Sequence, residues 1–294
     1  MTGPVVVGID DFEHSDHLIA AAAQEAGTRL SRTLWLAHAY HGFAPPAQET
    51  GLTPEETVRA AALAHLAALA EQVQLRHPEL RVETAAVTGP PAPALAKLAG
   101  SAALLVVGGR GRGGLAGQLL GSVSLRVLAR ADCPVLVVRG DQDEPAGRVM
   151  VGVDIDDLNG SATGPEVLEF AFDEAQRRDA DLYAFYAWED PSVLYAYGSQ
   201  VFMNEQREAA LERGRERLAA ALYPWQQLCP EVKVASEVLA GLPAKLLVEA
   251  TRMADVVVIG GRVRRDDQEG MRVGAIAHTV LHHAACPVAI VPEH

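Results

Sequence analysis

Aromatic side chains make up only 5% of the 294 residues, so a hydrophobic content of 49% has to pack mainly through alanine, valine and leucine. Basic residues are outnumbered, 25 Lys and Arg against 38 Asp and Glu, for a formal net charge of −13. That balance argues against a nucleic-acid surface, which needs basic patches, and an anionic ligand would have to be held by local donors against the overall field. Cysteine is scarce: Cys133, Cys229 and Cys286 are widely spaced with no CxxC pair, which argues against a disulfide framework or a zinc site. Cys133 and Cys286 each precede a proline and an apolar run, as buried structural thiols do. No apolar run approaches the length that spans a bilayer. The opening MTGPVVVGIDD has no basic n-region, long apolar core or small-residue cleavage site. The expectation is a soluble cytoplasmic protein of about two domains.

What is present is a duplication. VVVGIDD (5–11) returns as VMVGVDIDD (149–157), LLVVGGRG (104–111) as VVVIGGRV (256–263), and VLARADCPVLVV (127–138) as VLHHAACPVAIV (280–291). Three blocks in one order, displaced by 144 to 153 positions, make a tandem repeat. The polar stretch from Arg139 to Gly147 reads as the linker, giving domains over 1–140 and 147–294.

Within each half, short β-branched runs alternate with helical periodicity. Strands are predicted at Val5–Ile9, Thr33–Tyr40, Arg81–Val87, Ala103–Gly108 and Pro134–Val138. Helices are predicted from Ser15, as cap, to Leu30, from Pro54 to about Arg76, and over Ala92–Leu98. The second half repeats the pattern with strands at Val149–Val153, Leu182–Ala187, Val232–Val238, Val256–Ile259 and Pro287–Val291, and helices at Glu166–Arg177 and Gln206–Leu222. Strands joined by helices imply parallel pairing. The fold class is therefore α/β, two tandem doubly wound five-stranded parallel sheets.

Ligands of open α/β sheets bind beyond the carboxyl ends of the strands. Asp10 ends the first strand, and Ala37, His38 and Ala39 end the second with main-chain groups that suit a base. The fourth strand runs into VGGRGRGGLAGQLLGSVS (107–124), rich in glycine and carrying Arg110 and Arg112. Glycine is unfavourable in regular elements, so such a loop either turns sharply or admits close approach to the backbone. Gly121 and Ser122 open the next helix, whose N–H groups favour phosphate. Ser122 and Ser124 add hydroxyl donors, and the arginines add charge-assisted bonds. The loop reads as a phosphate cradle; the alternative is a surface loop with no ligand.

Gly109, Gly111 and Gly114 also match GxGxxG, but that fingerprint follows the first strand of a dinucleotide fold, not the fourth, and a Walker A loop needs a lysine that is absent. No catalytic or metal site emerges: Ser122, His38 and Asp10 are not placed as nucleophile, base and orienter, and His282–His283 reads as a surface pair. Trp188, Tyr195 and Tyr197 read as interdomain packing.

The motif Gly108-x2-Gly111-x9-Gly121-Ser122, with VVVGID, the HAY of His38–Tyr40, GPPAPAL (89–95) and ADCPVLVVR, resembles the ATP-binding universal stress proteins, over both halves. The resemblance implies sheet order 3-2-1-4-5 and ATP with Mg²⁺. It places Ile9 and Asp10 by the adenosine, Ala39 against adenine, and Val107, Gly108, Arg110 and Gly111 around ribose and phosphates. Gly121, Ser122, Val123 and Ser124 would receive the β- and γ-phosphates. It also implies a pseudo-dimer of the two halves through their fifth strands, with pairing of whole chains as a weaker expectation.

Three functions fit these residues: a nucleotide-gated regulator of stress response or dormancy acting on an unidentified protein partner, a slow ATPase or phosphotransfer enzyme, and a nucleotide-independent interaction module. The halves are expected to differ. Val263 stands where Gly111 does, three acids follow in residues 262–270, and Ala275 and Ala277 replace the two serines.

Overall fold

A computed structural model describes residues 3–40, 53–109, 120–139, 145–155, 163–188, 200–263 and 271–293. They fall into two compact units, Met1–Asp141 with Val263–Arg272, and Gln142–Arg262 with Val273–His294.

In the first unit, strands β1 (Val5–Gly8), β2 (Thr33–Tyr40), β3 (Arg81–Thr88), β4 (Leu104–Gly108) and β5 (Val135–Val138) lie in the order 3-2-1-4-5. Every neighbouring pair is parallel. Val5, Val6 and Val7 of the central strand are fully buried, as a strand covered on both faces requires. The connections run through α1 (Asp16–Thr28), α2 (Pro54–Arg76), α3 (Pro91–Leu98) and α4 (Ser122–Leu128).

The second unit repeats the plan. Its strands are β6 (Arg148–Gly152), β7 (Asp181–Trp188), β8 (Val234–Ala240), β9 (Val256–Val263) and β11 (Val288–Glu293); the two-residue β10 (Met271–Arg272) falls between the last two in the chain, within the segment grouped with the first unit. Parallel pairs set the order β8-β7-β6-β9-β11. Its helices are α5 (Pro165–Arg178), α6 (Gln200–Leu228), α7 (Pro243–Ala250) and α8 (Ala275–His283).

Equivalent contacts recur. A Cβ on Gly8 would come 2.7 Å from Leu95 Cδ1, and one on Gly152 would come 3.3 Å from Leu247 Cδ2. In both units a bare glycine lets the short helix seat its leucine on the central strand. Gly89, at φ +127°, donates its N–H to the Tyr40 carbonyl at 2.9 Å, and Gly241, at φ +158°, does the same to Trp188. Both backbones occupy the region that favours glycine.

Several element ends differ from expectation for local reasons. Ser15 stands at the N-cap of α1, but its φ of −101° and ψ of 1° lie off the extended conformation a capping side chain requires. Its hydroxyl caps nothing; it is buried with no hydrogen-bond partner. Helix α2 is the well-capped one. Thr53 accepts the Glu56 N–H, and the Glu56 carboxylate accepts the Thr53 N–H at 2.7 Å, a reciprocal box with Pro54 preset at the first position. Those bonds from Thr53 hold the Glu56 carboxyl below its usual range. Helix α6 continues past Pro224 to Leu228 instead of ending at Leu222.

Cys133 and Cys286 are buried, and burial pushes both thiols up to about 12. Cys229 is half-buried. No helix among the described residues is long and apolar enough to cross a membrane.

Candidate functional site

The carboxyl ends of β1, β2 and β4 meet where the sheet of the first unit reverses its order, between β1 and β4. Ile9 is buried; its N–H donates to the Ala37 carbonyl at 2.8 Å, extending the β1–β2 ladder by one residue. Its carbonyl accepts from His38 Nδ1 at 2.8 Å, so that nitrogen carries the proton. Asp10 is exposed immediately beyond, and Ala39 is half-buried on β2. Phe12 stacks on His65 of α2, with ring centroids 4.9 Å apart, and tilts against His38 at 4.7 Å. The three rings form an apolar, π-rich surface beside Ile9 and Asp10. Phe12 and His65 are not among the residues singled out from sequence. Their contact joins a loop to a helix some fifty positions away, with no local pattern to mark it.

Val107 is buried, Gly108 is half-buried and Gly109 donates to the Val138 carbonyl at 2.8 Å. Arg110, Gly111 and Arg112 lie outside the described residues. The chain returns at Leu120, and the Gly121 N–H donates to the Gly109 carbonyl at 2.9 Å. The two ends of the glycine loop are thereby tied together at the strand terminus. Gly121 is the extended N-cap of α4, Ser122 is exposed and Val123 is 37% exposed.

Ser124 behaves differently from the donor role given to it. It is 4% exposed, and its hydroxyl donates to the Gly108 carbonyl at 2.6 Å. A hydroxyl has one proton, and this one is committed to the backbone. Ser124 therefore fastens the first turn of α4 to the end of β4, while Ser122 is the serine that faces outward.

In the second unit Asp154 is exposed like Asp10, and the Val153 N–H donates to the Phe185 carbonyl at 2.8 Å, matching Ile9. The resemblance ends at the fourth strand. Where β4 stops at Gly108, β9 runs on through Gly260, Gly261 and Arg262 to Val263, paired with β11 as far as Arg262 beside Glu293. The Glu293 carboxylate accepts the Gly164 N–H at 2.8 Å. It also fills the space over Gly260, where a Cβ would come within 2.5 Å of its oxygens. Burial pushes the Glu293 carboxyl above its usual range; Gly164 and Arg262 oppose that shift, and Glu166 and Asp154 add to it. Glu293 is a third residue missed from sequence. The signal was available: ADCPVLVVRG (131–140) set against AACPVAIVPE (284–293) puts Gly140 opposite it. Ala277 occupies the place of Ser124 and is similarly buried, so the second unit has no hydroxyl latch there.

His282 is half-buried against His278, ring centroids 4.4 Å apart, and His283 is exposed. No group of three or more His, Cys, Asp or Glu residues converges to hold a metal among the described residues. Tyr195 and Tyr197 lie outside the described residues.

A sequence profile described as "Universal stress protein family" matches residues 1–139 and 146–292. The chain is 34% identical to Universal stress protein Rv2005c of Mycobacterium tuberculosis over 295 residues, covering 97% of this chain and 96% of that protein. It is 32% identical to Universal stress protein Rv2623 of the same organism over 299 residues, covering 98% and 96%. Among solved structures, a universal stress protein from Archaeoglobus fulgidus superposes with a TM-score of 0.67 at 16% identity, over the whole of both chains. A functionally unknown protein, PA1789, from Pseudomonas aeruginosa gives 0.65 at 19% identity, covering 99% and 93%. These two superpositions establish the fold.

Proposed function

The chain belongs to the universal stress protein family, and from that premise we propose that its first unit binds ATP and serves as a nucleotide-gated regulator of stress response or dormancy. The observation that carries this reading is the closure of the glycine loop. The Gly121 N–H on the Gly109 carbonyl, with Ser124 latched to Gly108, brings both ends of the Gly-x2-Gly-x9-Gly-Ser motif to one strand terminus.

In this reading the base lies by Ile9, Asp10 and Ala39, beside the Phe12, His38 and His65 rings, whose faces suit a purine. Ribose and phosphates approach Val107 and Gly108, with Arg110 and Gly111 beyond. The terminal phosphates meet the Gly121 and Ser122 end of α4, where backbone N–H groups and the exposed hydroxyl donate. Mg²⁺ would be carried in by the phosphates, keep several waters and need at most one or two protein carboxylates, for which exposed Asp10 at this strand end is the candidate. It would neutralise charge on the triphosphate, which matters for a chain carrying −13.

The test is mass spectrometry of nucleotide released from freshly purified chain, followed by calorimetry with ATP and Mg²⁺. Binding at one site per chain, weakened in Ser122→Ala, is expected. Absence of both co-purified nucleotide and binding heat would overturn the reading.

A further inference from the structure

The strand-end crevice of the second unit holds a charged group of its own. Glu293 is the last residue of β11, and the extra length of β9 carries it there. Pairing continues from Val291 beside Gly260 to Glu293 beside Arg262. Two residues along a strand return to the same face, so the Glu293 side chain reaches back over Gly260. Gly260 leaves the room it fills, and at Gly164 it is in ordinary contact, the closer neighbour there being the Glu166 carboxylate at 2.6 Å from a built Cβ. A Cβ on Gly260 would meet the carboxylate within 2.5 Å, and a Cβ on Gly164 would lie 3.5 Å from its Cγ. The carboxylate takes the N–H of Gly164, the N-cap of the 14-residue helix α5. Arg262 lies close enough to attract it, and Asp154 and Glu166 close enough to repel it.

An oxyanion seated on a helix N-terminal N–H beside an arginine is how a bound phosphate is held. Here the anion is tethered. The first unit has Gly140 at the corresponding position, and the residue equivalent to Gly164 is Ser15, whose hydroxyl is buried without a partner.

We propose that Glu293 is a built-in anionic ligand that occupies an oxyanion seat made by Gly164, Gly260 and Arg262, and so excludes phosphate-bearing ligands from the second unit. This rests on the reading that strand ends of this fold receive phosphate, but it concerns a different unit and is tested separately. It is independent of the altered loop and the missing serines, because the blocked position lies at Gly260, ahead of both. The ligand class admitted on removing the carboxylate is a phosphate or phosphate monoester.

The experiment uses the full chain in a Ser122→Ala background, with the Gly164 and Gly260 amide resonances as reporters, titrated with inorganic phosphate and separately with AMP. In the unsubstituted second unit these amides should not shift saturably. Removing a charge-assisted hydrogen bond that competes with the ligand shifts an equilibrium about 10- to 150-fold, so Glu293→Ala should gain affinity in that range. Glu293→Gln keeps the packing and the acceptor oxygen but no charge; it should gain less, and it stands in if the alanine variant does not fold. Saturation by both probes assigns the seat to phosphate itself, and saturation by AMP alone assigns it to a nucleotide. Affinity unchanged in both variants, or saturable binding at these amides with Glu293 intact, would overturn the proposal. Failure of ATP to bind the first unit would leave these reporters unaffected, so the two readings fail separately.

Discussion

Ser122 and Ser124 sit two residues apart in one turn, and the structure assigns them opposite consequences on substitution. Ser124→Ala removes a hydroxyl that donates to the Gly108 carbonyl at 2.6 Å from a residue only 4% exposed. Leaving a fully buried acceptor without its partner costs about 1–3 kcal/mol, an upper range here because the Gly108 carbonyl belongs to a half-buried residue. For a unit of this size that corresponds to a fall in Tm of roughly 2–12 °C. Ser122→Ala alters an exposed side chain, and surface changes of this kind stay within about 0.5 kcal/mol. Alanine is the better helix former at either position, so that small gain cancels in the comparison. On ATP affinity the order reverses: losing the outward hydroxyl from a charged ligand weakens binding about 10- to 150-fold. Scanning calorimetry without nucleotide and titration calorimetry with it separate the two effects, each transition fitted singly because two units need not melt together. The assignment of the latch to Ser124 is refuted if Ser124→Ala melts like the parent while Ser122→Ala melts early.

Three further outcomes follow from the geometry. Of the three thiols, only half-buried Cys229 should react readily with a thiol reagent at pH 8, since burial holds Cys133 and Cys286 at about 12; three fast equivalents would contradict the packing. Gly8→Ala should destabilise more than Gly152→Ala, because the added methyl meets Leu95 at 2.7 Å but Leu247 only at 3.3 Å. Overpacking of this kind costs about 1–3 kcal/mol, and denaturant melts in which Leu95→Ala fails to relieve Gly8→Ala would rule out the clash as its cause. The Glu56 carboxyl is held low by its bonds to Thr53, so its contribution to the first turn of α2 is complete at neutral pH and is lost as pH falls through that lowered value. Protection of the Glu56 amide, taken relative to its intrinsic exchange rate at each pH, should therefore fall in acid, and Thr53→Ala should abolish that fall; an unchanged protection profile in the variant would refute the capping box.

The tandem repeat, the alternation of strand and helix and the parallel pairing of the strands were legible in the chain itself, while the order 3-2-1-4-5 came from the family resemblance. Runs such as Val5–Val7 and Leu104–Val107 are apolar on consecutive positions, which only a strand covered on both faces tolerates, and helical stretches between them allow only parallel crossovers. The capping box at Thr53–Glu56 is likewise a local signal, carried within one turn. The decisive features of the sites are contacts between distant positions, and no window of sequence holds them. Ser124 read as a phosphate donor because its spacing beside Ser122 is all that sequence shows; its pairing with Gly108 depends on how α4 packs against β4. The reach of β9 to Arg262 required β11 as its partner, because a strand extends only as far as a neighbour takes its hydrogen bonds. That extension sets Glu293 on Gly164, 129 residues earlier in the chain. The sequence by itself determined which elements form and how they alternate, because periodicity and capping act within a few residues. Tertiary structure alone decided which polar group fills which crevice, because a buried carboxylate or hydroxyl goes where a partner from another element is waiting.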